Sequence, residues 1–177
     1  MLCGLSMGGY ISLNAISNFP ERFDALVLSD TQCIADTTEA KEKRMNAIKN
    51  IRDAGVEKYA DESIKNLFSP ESFITRKNAI SDVREMIIKT SEQSLCNALL
   101  ALAMRKETCS KLQEIKVPVL IMVGKEDIVT PPAAALLMHE KIKNSSLHII
   151  EHAGHLSNME NPDEFNKQLK KFVSSVY

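Results

Sequence analysis

Three side chains able to run acyl chemistry together are spread along the chain: the hydroxyl of Ser6, the carboxylate of Asp127 and the imidazole of His155. A serine hydroxyl is too weakly acidic to attack a carbonyl unaided, so it needs a base within hydrogen-bond reach. An imidazole supplies that base, and a carboxylate behind it selects the tautomer and stabilises the imidazolium that forms. Ser6 lies in Gly4-Leu5-Ser6-Met7-Gly8, a Gly-x-Ser-x-Gly pattern that sets a serine on a sharp turn between a strand and a helix. Glycines are expected two residues before and after the serine because a Cβ there would collide with the neighbouring strand or helix. In such a turn the backbone N–H of Met7 can face a developing oxyanion. A glycine-rich turn that merely packs a helix on a strand satisfies the same pattern, so support has to come from the rest of the chain.

The elements around these residues supply it. Met1-Leu2-Cys3 reads as the end of a strand, and Met7 to Ser17 has the small and apolar content of a buried helix. Val117-Pro118-Val119-Leu120-Ile121-Met122-Val123-Gly124 is a β-branched apolar run typical of a central strand, and Leu147-His148-Ile149-Ile150 is a second, shorter one. Ser6, Asp127 and His155 thus each fall just past the C-terminal end of an expected strand. In a parallel sheet those ends share one edge, where open α/β sheets place their sites. Asp30 follows a further strand, Ala25 to Leu28, and competes with Asp127 for the acid role; its other reading is a backbone turn or cap. His139 and His148 fall inside a helix and a strand and read as surface or structural residues. His152 lacks the preceding glycine that frees His155 to turn inward, and Glu126 should point away from Asp127.

Between about residues 35 and 110 the pattern changes. Strand-like runs vanish, Gly55 is the only glycine, and apolar residues recur at helical spacing. Met45, Ile48 and Ile51 mark one helix, Val56, Tyr59, Ala60, Ile64 and Leu67 a second, Ile80, Val83, Met86 and Ile87 a third, and Leu95, Leu99, Leu102 and Ala103 a fourth. The chain therefore divides into a core segment 1–34, a helical insertion 35–110, and a second core segment 111–177. The insertion falls between two strands, above the strand ends and so above Ser6, where it reads as a lid that excludes water. Leu5, Met86, Leu99, Leu102 and Met104 are candidates for lining the pocket beneath it.

Composition narrows the function classes. A hydrophobic content of 44% and a charged content of 25% are globular values, which sets disorder aside. The net charge of −1 gives no basic field for nucleic acid or an anionic membrane. No apolar run reaches the ~18 residues of a membrane span. Cys3, Cys33, Cys96 and Cys109 are widely separated and lack CxxC spacing, so they are expected as free thiols in a reducing, cytoplasmic compartment rather than as bridges or metal ligands.

Several phrases resemble the α/β-hydrolase family: Gly4-Leu5-Ser6-Met7-Gly8-Gly9-Tyr10, Phe19-Pro20-Glu21-Arg22-Phe23, Gly124-Lys125-Glu126-Asp127 with Thr130-Pro131-Pro132, and Gly154-His155 with Glu160-Asn161-Pro162. The order Ser, Asp, His is that family's order. Within it the chain is similar to the group of 3-oxoadipate enol-lactonases and related small esterases; Leu28-Ser29-Asp30-Thr31 and Ala35-Asp36-Thr37 resemble that group's entry into the lid. The resemblance implies an α/β fold corresponding to the C-terminal half of the hydrolase sheet, strands five to eight, with a helical lid insertion. It implies a serine esterase or lactonase with Ser6 as nucleophile, Asp127 as acid and His155 as base. Met7 N–H would be one oxyanion donor, with no metal and no cofactor. Some members place the acid where Asp30 lies, but Asp127 has the more typical flanks. Haloalkane and epoxide chemistries on this fold normally use a carboxylate nucleophile, which Ser6 argues against. A complete member reaches its serine well into the chain, so the sequence is expected to be an N-terminally truncated portion whose second oxyanion donor lies upstream. Its exposed first strand would then pair with a complementing fragment or a second copy. The alternative reading is a non-catalytic fragment or interaction module.

Overall fold

A computed structural model describes residues 1–177. Its centre is a four-stranded parallel sheet in the order β1-β2-β3-β4, built from β1 (Leu2–Leu5), β2 (Leu26–Ser29), β3 (Val119–Gly124) and β4 (Ser145–Ile150). Register runs Leu2↔Leu26, Leu26↔Val119 and Val119↔Ser145, so the four C-terminal ends lie along one edge. Parallel neighbours need a crossover. Helix α1 (Met7–Asn18) links β1 to β2, and α7 (Pro132–Lys141) links β3 to β4. The closing helix α9 (Pro162–Val176) is capped by the Asn161 side chain, which accepts from Glu164 N–H.

Both faces of the two central strands are buried, which explains why their sequences read as continuous apolar runs. Alternation sorts the side chains. Leu26, Leu28, Val119, Ile121 and Val123 pack with Leu13 and Ile16 of α1 and Met138 of α7, while Val27, Leu120 and Met122 pack on the other face with Phe165 and Phe172 of α9. Phe165, Leu169, Phe172 and Val176 recur at helical spacing and lay one stripe of α9 on that face.

Between β2 and β3 the chain leaves the sheet for α2 (Thr38–Ala54), α3 (Val56–Leu67), the short α4 (Ser72–Thr75), α5 (Lys77–Lys89) and α6 (Glu92–Met104). Gly55, at φ +86°, makes the sharp turn from α2 to α3 that a side chain would disfavour. Two small apolar clusters hold this insert: Ile51, Cys96 and Leu99 in one, Ile64, Phe68 and Val83 in the other.

At its neck the two connections are fastened together, and here one expectation is corrected. Cys33 and Cys109 form a disulfide across a sequence separation of 76 residues, leaving only Cys3 and Cys96 as thiols. Spacing along the chain could not reveal the pair because the whole insert lies between its members. The pairing also removes the ground on which a reducing compartment was expected. Beside it, Thr108 N–H donates to the Cys33 carbonyl at 2.8 Å, and Asp36 accepts from Arg44 and Arg105. Burial pushes the Asp36 carboxyl up, but the two guanidinium groups outweigh it and hold it below its ordinary value. No helix is long and apolar enough to cross a membrane.

Candidate active site

Ser6 occupies the one-residue turn between β1 and α1 with φ +50° and ψ −114°, a conformation that costs a non-glycine residue energy and must be held by its surroundings. The restraints are visible. Ser6 N–H donates to the Ser29 carbonyl at 2.9 Å, and the Ser6 carbonyl accepts from Thr31 Oγ1 at 2.8 Å. A Cβ on Gly4 would overlap the Gly8 carbonyl, so that glycine is required by the close approach of strand and helix. Gly8 corrects the sequence reading, because a Cβ there meets nothing. The second crowded glycine is Gly9, which packs on the Thr31 side chain.

Asp30 and His152 share the positive φ of Ser6, at +45° and +56°. All three sit where the chain leaves a strand, so backbone strain is concentrated on the C-terminal edge of the sheet.

Along that edge Ser6 Oγ lies 2.8 Å from His155 Nε2, and His155 Nδ1 lies 2.8 Å from Asp127 Oδ2. An ionised carboxylate can only accept, so Nδ1 carries the proton and Nε2 of the neutral ring is left to accept from the serine hydroxyl. Asp127 is 3% exposed and His155 2%. Asp127 is fully satisfied: Oδ1 accepts from Val129 and Thr130 N–H at 2.8 and 2.9 Å, and Oδ2 also accepts from Thr130 Oγ1 at 2.8 Å. The sequence offers Thr130 only within Thr130-Pro131-Pro132, and the contacts show that it holds the Asp127 carboxylate. As the first residue of α1, Met7 has no carbonyl a turn earlier to take its N–H.

Asp30 lies on the same edge but binds neither nitrogen of His155. Its Oδ1 accepts from Gly124 N–H at 2.9 Å, and its Oδ2 accepts from Ser29 and Ser157 hydroxyls at 2.7 and 2.6 Å. Burial raises its carboxyl to about 6, against the opposing pull of those hydrogen bonds. His152 pairs with Glu71 at the surface, and His139 Nδ1 lies 2.8 Å from Ser145 Oγ. His148 sits on β4, its imidazole held below the ordinary value by burial. Glu126 is exposed. No group of three or more His, Cys, Asp or Glu side chains is arranged to hold a metal ion.

A cavity of about 640 Å³ runs along the outer face of α1, from Met7 past Tyr10 to Phe19, and is walled on the insert side by Leu102 and Arg105. Arg105 lies over the Tyr10 ring, 4.3 Å from its centroid. Ser6, Asp127 and His155 are not in the wall, so only the Met7 end adjoins them. Of the expected lining residues, Leu102 is there. Leu99 packs into the insert's own core with Ile51 and Cys96, because the helix turns that side chain inward. Met86 and Met104, at 62% and 73% exposed, lie on outer faces of their helices and outside this cavity's wall, and Leu5 is half-buried at the end of β1.

The sequence matches the family described as "Serine aminopeptidase, S33" over residues 1–162. The chain belongs to that family. Its fold is that of the α/β-hydrolases. A 3-oxoadipate enol-lactonase 2 from Acinetobacter baylyi is 29% identical over 164 residues, which cover 93% of this chain and 60% of the relative. A thermophilic esterase from Thermogutta terrifontis superposes with a TM-score of 0.93 at 30% identity, covering 98% of this chain and 64% of that one. The enol-lactonase from Burkholderia xenovorans LB400 superposes at 0.88 and 23% identity over 97% of this chain and 64% of that one, a likeness of fold. This α/β-hydrolase chain therefore spans less than two thirds of the length of these relatives. Its parallel sheet and flanking helices correspond to the C-terminal half of the fold.

Proposed function

We propose that this chain carries the catalytic centre of a serine hydrolase acting on carboxylic esters or lactones. The observation that carries the reading is the unbroken hydrogen-bond relay from Asp127 through His155 to Ser6. Ser6 Oγ attacks the substrate carbonyl as His155 Nε2 takes its proton, and the Met7 N–H is one donor to the tetrahedral oxyanion. Collapse expels the alcohol, or opens the lactone, with the proton returned by His155. Water activated by the same imidazole then releases the acid from Ser6. Asp127 keeps Nδ1 protonated throughout, and Thr130 keeps Asp127 in place. The helical insert serves as the lid, shielding the acyl group from bulk water.

The family's description names an aminopeptidase, whereas two relatives that match nearly the whole chain are named as a lactonase and an esterase. We follow the latter for the substrate. In this reading the outer edge of β1, whose backbone groups have no strand beside them, accepts a strand from a complementing polypeptide or a second copy of the chain. A clean monomer in sedimentation, with one cooperative melt, would oppose that part.

The central test is labelling by a fluorophosphonate probe, expected for the wild type and absent in Ser6→Ala. Turnover of p-nitrophenyl acetate should exceed that of an aminoacyl p-nitroanilide. An unlabelled wild-type chain, or labelling that survives Ser6→Ala, sinks the proposal, and preference for the anilide sinks its substrate class.

A further inference from the structure

Glu160 ends the short helix α8 (Ser157–Glu160), five residues after His155, and its side chain is buried at 2% exposure. A carboxylate taken out of water needs its lone pairs answered. Here the answers come from two separate parts of the chain. Oε1 accepts from the backbone N–H groups of Gly154 at 2.8 Å and Leu156 at 3.2 Å, the two residues on either side of His155. Oε2 accepts from the Ser69 N–H at 2.7 Å and the Ser72 hydroxyl at 2.8 Å, both in the helical insert. The N–H between the two clamped ones, that of His155, donates to the Leu67 carbonyl at the end of α3, at 3.0 Å. Arg76 Nε closes the arrangement by donating to the Glu160 carbonyl at 2.8 Å.

We propose that Glu160 is the positioning residue for His155, and that through it the helical insert sets where the imidazole stands. The inference rests on the hydrolase reading above for its meaning in catalysis, though not for its geometry. Three consecutive backbone N–H groups carrying the imidazole are fixed, two by one carboxylate oxygen and one by an insert carbonyl. The other oxygen of that carboxylate is itself gripped by the insert. Movement of Phe68 to Ser72 away from the sheet therefore pulls on Glu160 and on the Leu67 carbonyl together, and the ring loses its distance to Ser6 Oγ. Displacements of about 1 Å at a reacting group can cost ~10²-fold in rate. Neither Asp127 nor Thr130 supplies this restraint, because both hold the ring only at Nδ1.

The test uses the full chain as wild type, Glu160→Gln and Ser72→Ala. Glutamine keeps the shape but sets an amide N–H₂ against N–H donors, while Ser72→Ala cuts one tie to the insert and leaves the Gly154 and Leu156 bonds. Two quantities are read: the rate of fluorophosphonate labelling at Ser6, and the Nδ1–H resonance of His155 in ¹⁵N-histidine protein. Labelling is expected to slow ~10²-fold in Glu160→Gln and roughly three- to tenfold in Ser72→Ala. The resonance should be displaced or broadened in Glu160→Gln, with the circular dichroism of a folded chain. Wild-type labelling together with an unchanged resonance in Glu160→Gln overturns the proposal. If that variant fails to fold, Ser72→Ala decides by the same two readouts, a shift in either supporting the proposal and wild-type values for both overturning it. If the wild type itself is not labelled, the hydrolase reading fails. The resonance alone then decides: displaced, the positioning role stands; unchanged, it falls too.

Discussion

The C-terminal edge of the sheet and the helical insert lie against each other yet are held by different forces. Along the edge, Ser29, Asp30, Thr31, Asp127, Thr130, His155 and Ser157 are all buried and hydrogen-bonded to one another or to strand ends. Beneath them the main apolar cluster gathers thirteen buried residues. The insert, from α2 to α6, has two clusters of three buried residues each and depends on attachments. Those are the Cys33–Cys109 disulfide, the Asp36 pairing with Arg44 and Arg105, and the grip of Glu160 on Ser69 and Ser72. A dense core fixes atoms to within tenths of an ångström because any shift opens voids. Tethers fix only their ends, and under the function proposed above that division suits reacting groups that stay put beneath an insert free to move.

The sharpest way to break this contrast is to exchange the two carboxylates on the edge. Asp127→Asn should lower kcat by about 10⁴, since the amide cannot hold the imidazole in the required tautomer. Asp30→Asn should stay within about tenfold of wild type, a modest change expected for a hydrogen-bonding partner away from the reacting atoms. Steady-state kinetics on both decides, and a reversed order would move the acid to Asp30.

Next in size is the disulfide. Reduction, or Cys33→Ser, should cost up to about 4.5 kcal/mol by the loop-closure relation for a separation of this length. The loss should concentrate in the insert. Hydrogen exchange is expected to quicken in α2 to α6 while the amides of β2 and β3 keep their protection. Uniform loosening of both regions would erase the distinction between core and tether.

Asp30 gives a smaller effect that depends on pH. Its folded-state carboxyl is raised to about 6 from an ordinary value of 3.8, so the native chain holds that proton more tightly than the unfolded one. The stability so gained is fully present below about 3.8 and is lost as pH rises through about 6. The swing amounts to about 3 kcal/mol. Denaturant melts of Asp30→Asn should therefore lack this fall, and the difference between variant and wild type should open between pH 4 and 7. Parallel curves for the two proteins would deny the edge its buried charge. Smallest of all, Arg84→Ala removes the exposed pair with Asp61 on the insert's surface and should leave the melting temperature unmoved.

Much of this was legible in the residues because it rests on local rules. A continuous β-branched apolar run located β3, and helical spacing located α2, α3, α5 and α6. The turn at Ser6 needs its glycine at Gly4, and the strand ends before Asp127 and His155 put those side chains on the same edge. What escaped depends on contacts between distant segments. The Cys33–Cys109 pair joins positions separated by the entire insert. Glu160 stands in a family-like phrase with Asn161 and Pro162, but no role for it is legible until Ser69 and Ser72 are seen beside it. Gly8 follows the motif yet touches nothing, whereas Gly9 is the one pressed on Thr31, a partner that spacing does not announce. Short turns of helix at Ser72–Thr75 and Ser157–Glu160 carry no periodicity and so left no trace in the pattern.

Fastening Cys33 to Cys109 also changes what a cut in the backbone means. The stretch between them is a closed ring, so a protease that nicks the surface of α2 or α5 yields two pieces that still travel as one on a non-reducing gel. The fragment bearing the serine and the fragment bearing the histidine stay bound to each other through sulfur. Trimming or exchanging the helices between those two cysteines then becomes an edit to a handle whose attachment points are already sewn together.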